Sequence, residues 1–499
     1  MSAPRSGSPT STLVGPEAGG VQEYLVTSYT DASVLAHTPA CSPPGVGVTR
    51  VHLDLDTGSL KCGPSTELGP NPAFVCPHPS LAGTHYLSTE RIDANGEVLH
   101  CTTDPATGLL TVVSRADAVR GRALGRALPK GCAQLPLGLQ SSQTPCATRP
   151  LTHALCTTLR AASPPATCTS TRRCATWWCV LPVVPGALAV TDNLPAVRVL
   201  PLQAVSYWDA VITVLPLSPD GSLGSAPLHR VQHPAASSFF AQAQPTREIH
   251  WKYRQQWPHA HCVVPEPYEG EFLFSTDLGL DVCHVWRLDA GCGALEAVQT
   301  VQLHPGRGPR HVAFHPRVPA CFVVNELDST VTVLAFHHSP QGEEDGQHQA
   351  APSRPADEPV SMHSKAAVLQ HVQTLSSLPE SAQGKSVISP QGIWKAASHS
   401  SELRLRPDGR FLCVGNRGHD SIAVFAVDET AGGMLTLAHV VPAGGACPRN
   451  FNFSRCGAFL LVGCQNSNAL TAFAVDPVTG ALTPKASLEL PSPNYVHAL

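Results

Sequence analysis

Charge is what this chain has least of. Only 14% of its 499 residues are Asp, Glu, Lys or Arg, against 42% hydrophobic. The 33 basic and 37 acidic residues leave a net charge of −4, and no basic stripe is present, which argues against nucleic acid as a partner. No run of about 18 apolar residues occurs, so no membrane-spanning helix is expected. The first twenty residues, MSAPRSGSPTSTLVGPEAGG, lack the apolar core of a secretory signal and read as a disordered tail (1–20). The expected location is cytoplasmic. An organelle transit peptide is the alternative, because the tail is Ser-rich with Glu17 as its single acidic residue.

Familiar chemical motifs are missing too. None of the 18 cysteines forms a CxxC pair, and many stand singly in apolar runs, as Cys321, Cys413 and Cys464 do. They read as reduced core residues rather than as a zinc or disulfide framework. There is no HExxH helix and no GxSxG elbow. The GKS at Gly384 to Ser386 has Pro379 where a Walker loop needs glycine, and the GRG at Gly306 to Gly308 lacks a third glycine. No metal and no cofactor is expected.

What is abundant is turn chemistry: 47 prolines and 39 glycines, implying many turns and few long helices. Between the turns a pattern recurs. EFLFSTDLGLDVCHVWRLD (from Glu271), ACFVVNELDSTVTVLAF (from Ala320), RFLCVGNRGHDSIAVFAVD (from Arg410) and AFLLVGCQNSNALTAFAVD (from Ala458) share one plan. An apolar strand meets a polar turn, and a second strand then alternates apolar and polar. Several close on a D-x-x-T-G-like turn, as at Asp54, Asp104, Asp289, Asp428 and Asp476. The steps from Phe411 to Phe459 and from Phe272 to Phe322 are 48 and 50 residues. That period, with β-branched period-2 strands, is the signature of a propeller blade. A lone four-stranded sheet cannot bury both faces, whereas radial stacking can. The fold class expected is therefore all-β: one β-propeller over residues 21–499. Residues 338–365 are polar and Pro-rich and read as an exposed insertion. Residues 119–205 show no strand alternation and read as a second one.

The words YLVTSYT, GPNPAFVCPHP, SYWDAVITVLPLSPDGSLG, PHAHCVVPEP, GRGPRHVAFHP, LRLRPDGRFLCVGNRGHDSIAVF and CPRNFNFSRCGAFLLVGCQNSN occur in that order. As an ordered set they resemble the lactonase family of seven-bladed β-propellers. That family is typified by bacterial-type 6-phosphogluconolactonase and includes carboxy-cis,cis-muconate cyclase. The likeness covers roughly three quarters of the chain. It departs at residues 119–205, where the family has a GPCH-type turn and an ANYxxG strand, so the third blade is expected to be degenerate or interrupted. The resemblance implies a hydrolase that opens a sugar lactone, with 6-phosphogluconolactone as the expected substrate. A muconate-type cycloisomerase and a non-catalytic interaction scaffold are the alternatives, since fold alone does not decide function.

Polar interruptions fall at equivalent points of the repeat: PHAH, GPRH, NE, GNRGH and GCQNS. By motif match the family implicates His259 or His261, Arg310, Glu326 and Arg417 in catalysis. His311, Asp277, His419, Arg449 and Gln465 are added as lining residues. Arginine suits an anionic lactone, because its rigid fork binds phosphate or carboxylate and offsets oxyanion charge. Histidine suits proton abstraction from water near neutral pH. A carboxylate would orient that histidine or protonate the leaving alkoxide. The partner implied is a small anionic sugar lactone.

Overall fold

The computed structural model describes residues 20–35, 43–94, 96–117, 181–182, 201–233, 254–255, 257–268, 270–289, 291–337, 368–388 and 394–499. The tail before residue 20, the insertion expected at 338–365, and nearly all of the stretch 119–200 lie outside them.

The described residues form seven four-stranded antiparallel sheets and one two-stranded sheet, Ser386–Ile388 with Trp394–Ala396. Blade 2 runs Pro72–Pro77, Thr84–Thr89, Glu97–Thr103 and Leu110–Asp117 from the inside outward, and blade 4 runs Ala260–Pro265, Phe272–Asp277, Val282–Leu288 and Leu295–Gln302. Blade 5 (Pro309–Phe314 to Leu369–Ser376), blade 6 (His399–Leu405 to Met434–Pro442) and blade 7 (Pro448–Phe453 to Leu482–Glu489) follow the same order. Blade 3 is also four-stranded, but its inner strand within the described residues is only Leu181–Pro182. Its second strand, Pro201–Ser206, uses the last residues of the stretch expected to be unpatterned and is buried throughout. Blade 1 joins the two ends of the chain. Val21–Ser28, Val48–Asp54 and Leu60–Thr66 take Pro493–Ala498 as their inner strand, paired from Tyr24↔Ala498 to Thr27↔Tyr495. The second strands of blades 4 and 5 start at Phe272 and Ala320, and those of blades 6 and 7 at Phe411 and Phe459, a step of 48 residues in both cases.

The core explains why the sheets need one another. Among the described residues, buried apolar side chains form one cluster at each of the seven junctions between neighbouring blades, and a small eighth cluster of Tyr207, Leu278 and Leu327. Phe322, Val333, Leu412 and Phe425 bridge blades 5 and 6, and Tyr24, Val51, Leu461 and Leu470 bridge blades 7 and 1. Each such side chain contributes roughly 1.5–3 kcal/mol on burial, and that gain exists only when the next blade is present. Outer strands face water on one side, so Leu110–Asp117 alternates exposed residues with less exposed ones.

The recurring aspartate turn has a local cause. Oδ1 of Asp54 accepts the N–H groups of Asp56 and Thr57 at 3.0 and 2.8 Å. Asp104, Asp289, Asp428 and Asp476 do the same two and three residues on. The glycine completing each turn has φ between +71° and +90°, a region costly for any residue with a Cβ. No helix among the described residues is long and apolar enough to cross a membrane. Seven of the eleven described cysteines are buried.

Candidate active site

Inner strands of neighbouring blades lie side by side around the ring, so their first residues converge at one mouth. Proline opens the inner strands of blades 1, 2, 5 and 7 (Pro493, Pro72, Pro309 and Pro448). Proline suits this position because no ladder donor is needed at a strand start. Register then shifts by one residue between Ala260 and Cys262, Pro309 and His311, and Pro448 and Asn450. The residues skipped are His261, Arg310 and Arg449. A bulge leaves its extra residue unpaired and re-aims the side chain, which is how three blades deliver a cation or an imidazole to the same level.

The second strands supply a matching tier. The residue just past each strand donates its N–H to the carbonyl preceding the inner strand of its own blade. The pairs are Tyr29 to Ser492, Glu90 to Asn71, Leu278 to His259, Glu326 to Gly308 and Gln465 to Cys447. Arg417 holds this position in blade 6, because Asn416 pairs with Ser400 as Asn325 pairs with Pro309. Tyr207 follows the second strand of blade 3.

Glu326 is the centre of the cluster. It is 3% exposed, and three guanidiniums surround it: Arg310 Nε and Arg417 Nη2 at 3.1 Å from Oε2, and Arg254 Nη2 at 2.7 Å from Oε1. Burial alone would raise its pKa, but Arg254, Arg417 and Arg310 outweigh burial and hold it well below the usual carboxylate range. An ionised, triply paired carboxylate is better suited to fixing these guanidiniums than to donating a proton. Burial, then Arg417, brings the Arg310 guanidinium down to about 10, so it stays charged at neutral pH. Its Nη1 also donates to Ser401 O, and Arg417 donates to the carbonyls of His399 and Ser400.

Two imidazoles stand beside these arginines. The His261 and His311 rings lie 5.1 Å apart, edge to face. Nδ1 of His311 donates to Oε1 of Glu402 at 3.0 Å, which leaves Nε2 to accept from Arg310 Nη1 at 3.1 Å. Burial and Arg310 bring His311 down to about 4, while Arg404 and His311 outweigh burial to bring Glu402 down to about 2. His261 is held well below its ordinary range by burial, then by Arg310 and His311, so both imidazoles are neutral at pH 7. On the far side Arg449 donates to Asn494 Oδ1 at 2.7 Å and lies over the Tyr29 ring at 5.1 Å. Tyr29 OH in turn donates to Glu90 at 2.8 Å. Gln465, 2% exposed, completes this tier in blade 7. Five guanidiniums (Arg254, Arg310, Arg404, Arg417, Arg449) thus stand with three carboxylates (Glu326, Glu90, Glu402), a formal excess of two positive charges among these residues. Among those residues no group of His, Cys, Asp or Glu is placed to hold a metal ion.

Three residues expected at the site are not among the groups that pair with Glu326. His259 lies flat on Tyr207, ring centroids 4.5 Å apart and planes 5° from parallel, with the Trp208 ring edge-on at 5.1 Å. His419 is on the exposed turn of blade 6, its Nδ1 2.7 Å from the Ser421 hydroxyl. Asp277 is fully buried between blades. It accepts from His233 Nδ1 (2.8 Å) and from the N–H groups of His259 (2.8 Å) and Leu280 (3.0 Å). His233 Nε2 lies 3.0 Å from the Ser275 hydroxyl, so Asp277, His233 and Ser275 have the connectivity of a serine-hydrolase triad. They do not work as one. Ser275 is fully buried and its Oγ accepts the Trp286 indole N–H at 2.8 Å, so no substrate reaches it.

Sequence reasoning missed Arg254, Glu402, Glu90, Tyr29 and Tyr207. Glu90 had a signal: it follows YLST as Glu326 follows FVVN. Arg254 had none, since it belongs to no strand.

The family described as lactonase, 7-bladed beta-propeller, matches residues 201–498. The 6-phosphogluconolactonase of Bacillus subtilis strain 168 is 29% identical over 248 residues, 50% of this chain and 55% of that protein. An uncharacterized Lactococcus lactis subsp. cremoris protein is 31% identical over 189 residues, 37% of this chain and 42% of that one. The chain thus spans about half the length of the curated relatives it matches. Among solved structures, the periplasmic gluconolactonase of Pseudomonas aeruginosa superposes with a TM-score of 0.62 at 23% identity, covering 96% of this chain and 99% of that one. A Lactobacillus plantarum protein gives 0.61 at 18%, covering 96% and 100%. Seven four-stranded blades, the ordered motifs and the match over residues 201–498 together place the chain in the lactonase family of seven-bladed β-propellers.

Proposed function

We propose that the protein hydrolyses an anionic sugar lactone, with 6-phosphogluconolactone as the substrate. The observation that carries this reading is the excess of guanidinium over carboxylate around Glu326, beside the neutral imidazole of His261. The names of the Bacillus and Pseudomonas relatives support the lactone; the arginines support its negative charge.

In this mechanism water adds to the lactone carbonyl carbon and gives its proton to His261. Arg310 and Arg417 stabilise the oxyanion, and Glu326 fixes both guanidiniums rather than moving a proton. The ring C–O bond then breaks, and the proton held by His261 passes to the departing alkoxide. The net change is addition of one water across the ester, with loss of a proton from the new acid. His261 is a weak base in the empty site because Arg310 faces it. An anionic substrate offsets that charge and raises its basicity when the proton must move.

The test is proton release from freshly prepared 6-phosphogluconolactone, corrected for spontaneous opening. Wild-type protein is expected to exceed the background, and Arg310→Ala to lose about 10²–10³-fold in kcat/KM. Arg310→Ala should retain its fold, since Arg254 and Arg417 still pair with Glu326. Wild-type hydrolysis no faster than buffer defeats the proposal, and turnover confined to a carboxylated muconate redirects it to the cyclising class.

A further inference from the structure

We propose that Arg254 selects for a negatively charged group on the substrate remote from the lactone carbonyl, as a specificity residue distinct from the arginines at the reacting centre. This rests on the lactonase reading above.

The three guanidiniums on Glu326 are not equivalent. The side chains of Arg310 and Arg417 are 3% and 17% exposed, whereas that of Arg254 is 39% exposed. Arg310 commits Nε to Glu326 and Nη1 to Ser401 O. Arg417 commits Nε and Nη2 to backbone carbonyls, the latter also to Glu326. Among the described residues Arg254 pairs through Nη2, at 2.7 Å from Glu326 and 3.5 Å from Tyr207 OH, and it is the most solvent-accessible of the three guanidiniums. A positioned and accessible guanidinium fork is suited to capture of phosphate or carboxylate. The division of labour follows from access: buried cations act where charge develops, and the exposed one acts where charge arrives.

Arg254 is held in place although it belongs to no strand. Its neighbour Gln255 is fully buried, and its Nε2 donates to Leu278 O at 2.9 Å. Two residues further, the Trp257 carbonyl presses on Gly279, where a Cβ would come within 1.8 Å of that oxygen. Leu278 occupies in blade 4 the position that Glu326 occupies in blade 5. The chain is therefore pinned to blade 4 immediately beside Arg254, and the guanidinium extends to the carboxylate of blade 5. A positioned cation costs less entropy to engage than a free surface side chain. Glu326 keeps Arg310 and Arg417 when Arg254 turns to a ligand, so its charge remains compensated.

The experiment compares two lactones and four proteins. kcat/KM is measured for 6-phosphogluconolactone and for uncharged glucono-δ-lactone with wild type, Arg254→Ala, Arg254→Lys and Arg310→Ala. In Arg254→Ala the ratio of phosphorylated to neutral lactone is expected to fall about 10- to 100-fold. Arg254→Lys, a single point charge, should recover part of that ratio. Arg310→Ala should depress both lactones together. Calorimetric affinities for 6-phosphogluconate and gluconate provide a second readout that needs no turnover, and melting curves verify folding. A substrate ratio in Arg254→Ala equal to that of the wild type overturns the proposal while leaving the lactonase reading standing. If the wild type opens neither lactone, the lactonase reading fails, and the binding data decide on Arg254. Weaker 6-phosphogluconate binding in Arg254→Ala then supports its role in anion selection; equal affinity, or no wild-type binding, overturns it.

Discussion

Blades 4 and 5 each carry a buried carboxylate at the end of the second strand, one residue out of step. Asp277 is the last residue of its strand and faces the blade interior, where His233 and the N–H groups of His259 and Leu280 occupy it. Glu326 is one residue past the end of its strand and meets guanidiniums from three parts of the chain. Asn325 is the true counterpart of Asp277 in blade 5. It likewise turns inward, to the Thr330 and Thr332 hydroxyls of the third strand. Because side chains alternate across a strand, a single step moves a carboxylate from the inter-blade packing to the channel. The same composition yields a structural relay in one blade and a charged site in the next.

Substituting the two carboxylates sharpens this contrast most. Glu326→Gln is expected to lower kcat/KM on the lactone about 10²–10³-fold, because Arg310 and Arg417 lose the charge that positions them. Asp277→Asn should instead lower stability by about 3–5 kcal/mol in chemical denaturation, with activity per folded molecule kept, since it breaks a buried pair away from the channel. Loss of activity without loss of stability in Asp277→Asn would erase the distinction.

A smaller effect is expected at Ser275. Ser275→Ala leaves the Trp286 N–H and His233 Nε2 without their shared partner, at a cost of about 1–3 kcal/mol. Lactone hydrolysis should persist. Abolished turnover in a folded Ser275→Ala protein would mean that the buried triad is catalytic after all.

The gentlest test is pH. Burial, with neighbouring charges, lowers His311 and His85 to about 4 and His284 and His497 to about 3. Each binds a proton more readily unfolded than folded. Their contribution is therefore full above the unfolded value of about 6.5 and is lost as pH falls toward the folded values. The melting temperature should drop progressively from pH 6.5 toward 4. A flat Tm across that window would mean that these imidazoles are already protonated in the fold, or open to water.

Much of this was legible beforehand, for identifiable reasons. Strand alternation and the aspartate–glycine turns are local, so blades 4 to 7 could be read from EFLFSTD to AFLLVGC. Glu326 stood out because a carboxylate interrupting an apolar strand is costly unless it is paired or near water, whereas Arg310 and Arg417 were named from their match to the motifs of the lactonase family. His259 and His261 could not be separated by reading, because they are two residues apart. Only the bulge at Ala260/Cys262 sends one to the channel while stacking places the other on Tyr207. Asp277 was misplaced because the sequence does not reveal which face of its strand is the channel.

The order of residues thus determined how many sheets form and where each turns, since period-2 patterning and αL glycines act within a few positions. Which imidazole meets which guanidinium was decided by closure of the ring. Only packed blades bring Arg254, Arg310 and Arg417 to one carboxylate, and only burial there makes their charges outweigh its desolvation.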